Sequence, residues 1–431
     1  MNGSQDAQQK EYTVSRSQAN FILIICFLLF AINYMDKQVF SVVLEPMRID
    51  LGLNDSQVGI IQSLFYFSYA FFAIPAAFLL DRWSRKKSMA LMAIFWSVAT
   101  FLTGLGKGFW GVLFPRIGVG AGEAAYGGGG TVMVAAAYPQ ALRTRVMGLF
   151  YMAVPVGTAL GAALGGWISA NYGGWRTPFY VFAIPGIIFG VAALFMKDYK
   201  TVKETDISGK TKGFFSSAFG LFKIPSLRWV YIGYGLQQIM LTAYLTWAPA
   251  FIMRAQAVSE AQAGLVMAAI GILAIIGLPA SGILADLWQK RNSSGKLSVA
   301  VISSILAAIL FALAVYFDFK GIGFVFALLM GLTVTGATPV VNTVTQDVVS
   351  PGLKGVAGAS VVFYMVIFGG GWAPWAVGAI SDSTGGGVEG LKLALLISSL
   401  GALLGALCFW ISKRYYANDL KKVEGLVLHA E

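Results

Sequence analysis

Five charged residues stand inside long apolar stretches: Asp36 beside Lys37, Arg116 and Glu123 seven positions apart, and Asp347. A charge at the centre of a membrane span costs about 2.5 to 3.5 kcal/mol on insertion scales, so such groups are kept for a use and beside partners. Seven residues are close to two helical turns, which turns Arg116 and Glu123 to one side and lets both line one cavity. Two acids and two bases then point to one chemistry. Asp36 or Glu123 takes up a proton, and the base so released, Arg116 and with it Lys37, holds an anion. The other use for such a set is a permanent ion-pair network that only joins helices. A histidine relay is excluded, because the single histidine, His429, lies in the C-terminal tail. Tyr126, and Asn342 with Gln346 one helical turn apart, are expected to add contacts to a bound molecule. Tyr66, Tyr69, Tyr244 and Trp247 are further aromatic candidates, competing with plain packing. No metal or cofactor is expected, since Cys26 and Cys408 lack ligand-type neighbours. No nucleophile and base arrangement or phosphate loop is present, so an enzyme is not expected.

The elements that position these residues must be helices in a bilayer. The chain has 431 residues, 57% hydrophobic and 12% charged, with mean hydropathy +0.71, against about 25% charged in a soluble domain. A span needs roughly 20 apolar residues. Six such segments lie near Phe21 to Pro46, Val58 to Leu80, Met89 to Leu105, Trp110 to Tyr138, Val146 to Tyr172 and Phe179 to Met196. Six more lie near Trp229 to Met253, Gln262 to Leu284, Leu297 to Phe317, Gly323 to Val349, Val356 to Ile380 and Leu391 to Ile411. The polar N-terminus lacks a cleavage site, so the first segment is read as a span and not a removed signal.

A formal net charge of +11 could suit nucleic acid, but the bases sit in short loops, where topology explains them. With the N-terminus inside, Arg82, Arg85, Lys86, Lys87, Arg143, Arg145, the lysines from Lys197 to Lys223, Arg228, Lys290, Arg291, Lys296 and Lys354 share one side. The other side receives Arg48, Lys107, Arg176, Arg254, Lys320 and Lys392. Both termini are therefore expected in the cytoplasm. The organisation so read is a cytoplasmic segment 1–20, a six-helix bundle 21–196, a linker 197–228, a second six-helix bundle 229–412 and a cytoplasmic tail 413–431. Compact loops favour a bacterial inner membrane, although Asn54-Asp-Ser56 is a formal glycosylation sequon.

A repeat joins the two halves: Asp81-Arg82-Trp-Ser-Arg85-Lys86-Lys87 follows span 2, and Asp286-Leu-Trp-Gln-Lys290-Arg291 follows span 8. The first string, opened by Ala77, resembles the loop signature of the major facilitator superfamily. Asn33-Tyr-Met-Asp36-Lys37, Arg116-Ile-Gly-Val-Gly-Ala-Gly-Glu123-Ala-Ala-Tyr126 and Phe150-Tyr-Met-Ala-Val-Pro155 resemble its spinster-like branch, with weaker matches at Ala373-Pro374 and Ser381-Asp382.

That resemblance implies an all-α membrane protein of twelve helices in two pseudo-symmetric six-helix bundles, working by alternating access. It also implies an inner gate at Asp81, Arg82 and Arg85, with Asp286 as the counterpart in the second half, where Asp81 would meet the N-terminal end of span 11 near Gly355. Spinster-like relatives are associated with lysolipids and sphingoid phosphates, so the implied cargo is an amphipathic anion such as a lysophospholipid, moved with protons. A small organic acid (a sugar acid or monocarboxylate) is the alternative, and a receptor or sensor without net transport is a third. The expected partners are that small-molecule or lipid anion, protons and membrane lipids, and the expected form is a monomer. Lys37 stands where relatives carry arginine, and Gly127 to Gly130 stand where relatives vary. A lysine holds an anion as a point charge and not as a fork. Four glycines cost a helix about 1 kcal/mol each, which either close packing or an unwound spot must offset.

Overall fold

The structure is a computed structural model that describes residues 14–124, 126–198, 214–292, 294–350 and 353–428. Lys200, Lys203, Lys210, Lys212, Pro351 and His429 lie outside the described residues, as do the side chains of Ala77, Asp81 and Arg82. Every described element is helical. Span 1 is Arg16–Val42, span 2 Asp55–Arg82, span 3 Arg85–Gly104, span 6 Thr177–Ala193, span 7 Pro225–Gln256, span 8 Glu260–Gln289 and span 9 Gly295–Tyr316. Span 12, Gly387–Leu428, continues as one helix well past the expected end at Ile411.

Four spans are interrupted, two in each half. Span 4 is built from Gly108–Glu123 and Tyr126–Ala137, and span 10 from Ile322–Thr333 and Ala337–Asp347. Span 5 breaks at Met152 between Gln140–Tyr151 and Ala153–Asn171. Span 11 runs through a π turn, Val366–Gly370, between Lys354–Met365 and Ala373–Ser383. The first pieces of spans 5 and 11 are each 12 residues long, so the repeat extends to where the helices break. A break frees backbone groups from the helical ladder, which a membrane tolerates only where protein or a water-filled cavity satisfies them.

The chain forms two compact units, and their borders do not follow the midpoint of the sequence: residues 53–66 of span 2 belong to the second unit and residues 259–268 of span 8 to the first. Both of these helix starts carry a reciprocal cap. Gln57 N–H donates to Asn54 Oδ1 while Asn54 N–H donates to Gln57 Oε1, at 2.8 and 3.0 Å. Ser259 and Gln262 exchange the same pair of bonds at 3.4 and 3.2 Å. Such a capping box satisfies two orphan donors at a helix start. Five residues beyond each cap stands a glycine: Gly59 lies against the backbone of Pro374 and Trp375, and Gly264 against the Ala162 carbonyl.

In the first unit, span 5 presents Gly157, Gly161 and Gly165 to Ala31, Met35 and Val39 of span 1, where any Cβ would collide. Small residues at this spacing let helix backbones approach. The close approach fixes the rotation of span 1, so that Asn33, Asp36, Lys37 and Phe40 face away from span 5. The glycine run of span 4 is mostly packing: Gly127 lies on Phe30, Gly129 on Leu80 and Gly130 on Phe150, and only Gly128 meets open space.

In the second unit, the core gathers Val230, Tyr231, Ala337, Val340, Val341, Val344 and Tyr416. Asp347 is taken up here. It accepts hydrogen bonds from Lys296 Nζ at 2.9 Å and Tyr416 Oη at 2.7 Å, which tie spans 9, 10 and 12. Asp419, on the extension of span 12, caps span 7 by accepting from Ser226 N–H at 3.0 Å.

Candidate substrate and proton site

Asp36, Lys37, Arg116 and Glu123 meet in the first unit. Arg116 and Asp36 are fully buried, and Glu123 is 1% exposed. Lys37 is the reachable member, with 18% of its side chain exposed. Its ammonium lies 3.4 Å from Glu123 Oε2 and donates to Asn33 Oδ1 at 2.9 Å. The rings of Tyr34 and Tyr69 flank it, with centroids at 4.5 and 4.7 Å. Aromatic faces attract a cation through their quadrupole, so the lysine is held in a box of two rings, one amide and one carboxylate. Asp36 accepts from Thr100 Oγ1 of span 3 at 3.2 Å through Oδ2, and its Oδ1 has no hydrogen-bond partner among the described residues. The Arg116 guanidinium lies 4.4 Å from the Phe40 ring.

This arrangement separates two roles that sequence spacing left together. Arg116 and Glu123 do share a helix face, but Arg116 is fully buried whereas Lys37 is partly exposed. The charges acting on Asp36 are those of Glu123, Arg116 and Lys37, and the four groups together are formally neutral when both acids are ionised. Tyr126 is fully buried, edge-on to Trp96 with ring centroids 5.0 Å apart. Sequence reasoning missed Thr100 and left Asn33 and Tyr34 as motif letters only. Their spacing to Lys37, four and three residues back, was the available signal.

Of the remaining predicted residues, Asn342, Gln346, Asp286, Tyr244 and Trp247 belong to the second unit and Arg85 to the first. Asn342 is exposed on span 10, and Gln346 Nε2 donates to Lys354 O at 3.2 Å. Arg85 is buried at the start of span 3, where Ser84 caps the helix by accepting from Lys87 N–H at 3.2 Å and donates to Asp198 at 2.5 Å. Asp286 is exposed. Of the aromatic candidates, Trp247 donates its indole N–H to Pro374 O at 3.0 Å and Tyr244 packs on Phe311, both as core contacts.

A second polar cluster, unassigned from sequence, holds the start of span 2 in the second unit. Asp55 pairs with Arg254 at 2.6 Å, with 3% and 8% of the side chains exposed, and accepts from Ser381 Oγ at 2.6 Å. Asp382 accepts from the Asp55 and Ser56 N–H groups at 3.2 and 2.8 Å and from Ser56 Oγ at 2.5 Å. A carboxylate at a helix N-terminus both caps and neutralises its partial positive charge.

An all-helical chain with paired breaks and buried intramembrane charges narrows the family, and comparison with known proteins decides it. The Major Facilitator Superfamily model matches residues 26–374. The chain belongs to this superfamily. It is a multi-pass membrane transporter with the superfamily's fold of two pseudo-symmetric six-helix bundles, and not an enzyme. Protein spinster homolog 1 of Xenopus laevis is 26% identical, over 95% of this chain and 84% of that protein. The probable galactarate/D-glucarate transporter of Escherichia coli is 25% identical, over 95% of this chain and 96% of its own length. Among solved structures, a bacterial homologue of the human lysosomal transporter Spinster, inward-facing and unoccupied, superposes with a TM-score of 0.83 at 20% identity, covering 94% of this chain and 99% of that one.

Proposed function

We propose that this superfamily member is a proton-coupled secondary carrier of an organic anion, bound at Lys37. The observation that carries the reading is the Lys37 to Glu123 pair, a reachable base held 3.4 Å from a buried acid. An incoming anion competes with Glu123 for the ammonium. A carboxylate left buried without its cation is costly, and the cheaper course is to take a proton. Asp36, Arg116 and Thr100 form the buried remainder of the relay, and Asp36 is the second acid able to accept a proton. A tenfold proton gradient supplies about 1.4 kcal/mol for this exchange.

Two cargo classes meet the requirement for an anion. The likeness to spinster supports an amphipathic anion such as a lysophospholipid, and the likeness to the galactarate/D-glucarate transporter supports a sugar acid. In the same reading the carrier is a monomer in a bacterial inner membrane with both termini cytoplasmic, and the charged string after span 2, with Asp286 as its counterpart in the second half, works as its inner gate. Alternating access then requires the contacts that hold the starts of spans 2 and 8 to open during the cycle.

The test is cargo uptake into proteoliposomes under an imposed proton gradient. Asp36→Asn and Glu123→Gln are each expected to abolish gradient-driven accumulation while leaving counterflow exchange measurable. Undiminished proton-driven uptake in Asp36→Asn and Glu123→Gln alike would sink the proposal, and ligand binding without accumulation in sealed vesicles would make the chain a receptor.

A further inference from the structure

The first unit carries an aromatic cluster that the proton and anion chemistry does not use. Phe30, Tyr34 and Lys37 follow one another at four and three residues, so all three stand on one face of span 1. The Tyr34 ring lies against the Lys37 ammonium at 4.5 Å and stands edge-on to Phe30, with centroids 5.4 Å apart and planes at 82°. Phe30 in turn meets Tyr151, at the end of the first piece of span 5, at 6.4 Å and 67°. Ring contacts therefore lead without a gap from the ammonium to Tyr151. The rise from Phe30 to Lys37 is roughly 10 Å along the helix, room for a carboxylate and one ring.

Packing accounts for only part of this cluster. Phe30 is buried and stacks on Phe150 at 4.9 Å and 8°, but Tyr34 is partly exposed and Tyr151 is 47% exposed. A partly exposed cation inside a span borders a polar space and not hydrocarbon, and Tyr34, in contact with Lys37, borders the same space. Tyr151 is exposed yet held. Thr131 Oγ1 donates to Gly127 O at 2.7 Å; with its one proton spent there, it accepts from Tyr151 Oη at 2.9 Å. Both hydroxyl protons are committed, so what Tyr151 offers is its ring. Gly128 adds room. It stands in a helix between Gly127, which lies on Phe30, and Thr131, which holds Tyr151, and a Cβ there would meet nothing within 4 Å. Neither packing nor backbone conformation calls for glycine at this position, where alanine is the better helix former.

We infer that Phe30, Tyr34 and Tyr151, with the space at Gly128, form a subsite for one aromatic ring beside Lys37, which makes the cargo an aromatic carboxylate. All of these residues belong to the first unit. The inference rests on the reading of Lys37 as the anion site, and adds what the rest of the cargo is. Aromatic rings gain from edge-on and offset contacts beyond the area they bury, a gain that a saturated ring of the same size does not share.

The experiment is the ligand-induced thermal shift of the purified full-length protein in detergent, titrated with 3-phenylpropanoate, with 3-cyclohexylpropanoate, which keeps the carboxylate and the carbon skeleton without the π system, and with propionate, D-glucarate and a lysophosphatidylglycerol. 3-Phenylpropanoate is expected to bind about 3- to 10-fold more tightly than its saturated analogue. Tyr151→Leu, checked for an unchanged unliganded melting temperature, should remove that preference. Gly128→Leu should melt no lower than wild type, since it replaces glycine in a helix at an open position, and should weaken both ring-bearing acids about tenfold or more while leaving the response to propionate unchanged.

Equal binding of the two ring-bearing acids to wild type, binding of D-glucarate or the lysophospholipid alone, or unchanged 3-phenylpropanoate affinity in Tyr151→Leu and Gly128→Leu alike overturns the subsite. Lys37→Gln separates the two claims. If it abolishes the binding of both ring-bearing acids and wild type does not distinguish them, the anion site stands and the ring subsite falls. If it leaves 3-phenylpropanoate binding intact while Tyr151→Leu weakens it, the ring subsite stands and the Lys37 reading falls.

Discussion

The Asp55 and Arg254 pair offers a sharp quantitative test, because both side chains are almost wholly enclosed, at 3% and 8% exposure. Removing one partner of a buried pair costs about 3 to 5 kcal/mol, most of it the burden of the unpaired charge left behind. Asp55→Ala removes the carboxylate facing Arg254, whose guanidinium keeps the Gly387 carbonyl at 3.4 Å, and Arg254→Ala removes the guanidinium facing Asp55, whose carboxylate keeps the Ser381 hydroxyl at 2.6 Å. Each single variant should therefore lose several kcal/mol of unfolding free energy, measured by reversible denaturation in mixed micelles. The double variant strands neither charge, and its loss should fall short of the sum by about 2 kcal/mol or more. Contacting residues show such coupling, whereas independent sites add within about 0.5 kcal/mol. Additivity within that margin would refute the pair as a joint element. Salt supplies the control. The Arg176 to Asp50 pair, with 34% and 49% of the side chains exposed, should contribute about 0 to 1 kcal/mol and fade at high ionic strength, while the enclosed pair should persist.

Gly59→Ala and Gly264→Ala should each destabilise by about 1 to 3 kcal/mol through overpacking, since a Cβ at either position meets backbone; unchanged melting of both would show that the helix starts are not held there. Asp382→Ala should cost about 0.5 to 2 kcal/mol as the loss of a helix cap, and Asp382→Asn should recover part of it in the same melting assay. If Glu123 leaves Lys37 with one proton for each monovalent anion admitted, uptake is electroneutral, and a potassium-diffusion potential across proteoliposomes should not change the accumulation ratio. Asp50 is held below the ordinary carboxylate range by the Trp175 indole N–H and by Arg176. Such a group adds stability that is complete above its unfolded value of about 3.9 and is lost as pH falls through the lower folded value. The stabilities of wild type and Asp50→Asn should accordingly converge below that range and part above it; a constant difference across the acid range would contradict the assignment.

The buried quartet was legible because the chain is so poor in charge. With 12% charged residues, each acid or base inside an apolar run stands out, and seven-residue spacing aligns Arg116 with Glu123 on one helix. Which of the four is reachable was not legible, since that depends on how span 1 is rotated. The rotation is set by Gly157, Gly161 and Gly165 locking onto Ala31, Met35 and Val39, a fact about two helices at once. Tyr69, one of the aromatic candidates, joins the lysine box from span 2, whereas Thr100 reaches Asp36 from span 3, and a threonine announces no such role within an apolar helix. The same limit hid the Asp55 cluster, whose members Asp55 and Asp382 lie 327 positions apart.

Its nearest local sign was a repeat finer than the charged loop strings: Asn54 to Gln57 and Ser259 to Gln262 are matching caps, each followed by a glycine at the same distance. The match stops at the charges. Glu260 stands where Asp55 does, yet makes no ion pair among the described residues, so the two halves repeat the packing of this contact and only one of them adds an ion pair. An internal repeat thus transmits backbone architecture more faithfully than chemistry. For that reason the pairing of helix breaks, capped starts and close-packed glycines follows the symmetry of the chain, while the cluster of Asp36, Lys37, Arg116 and Glu123 lies in the first unit.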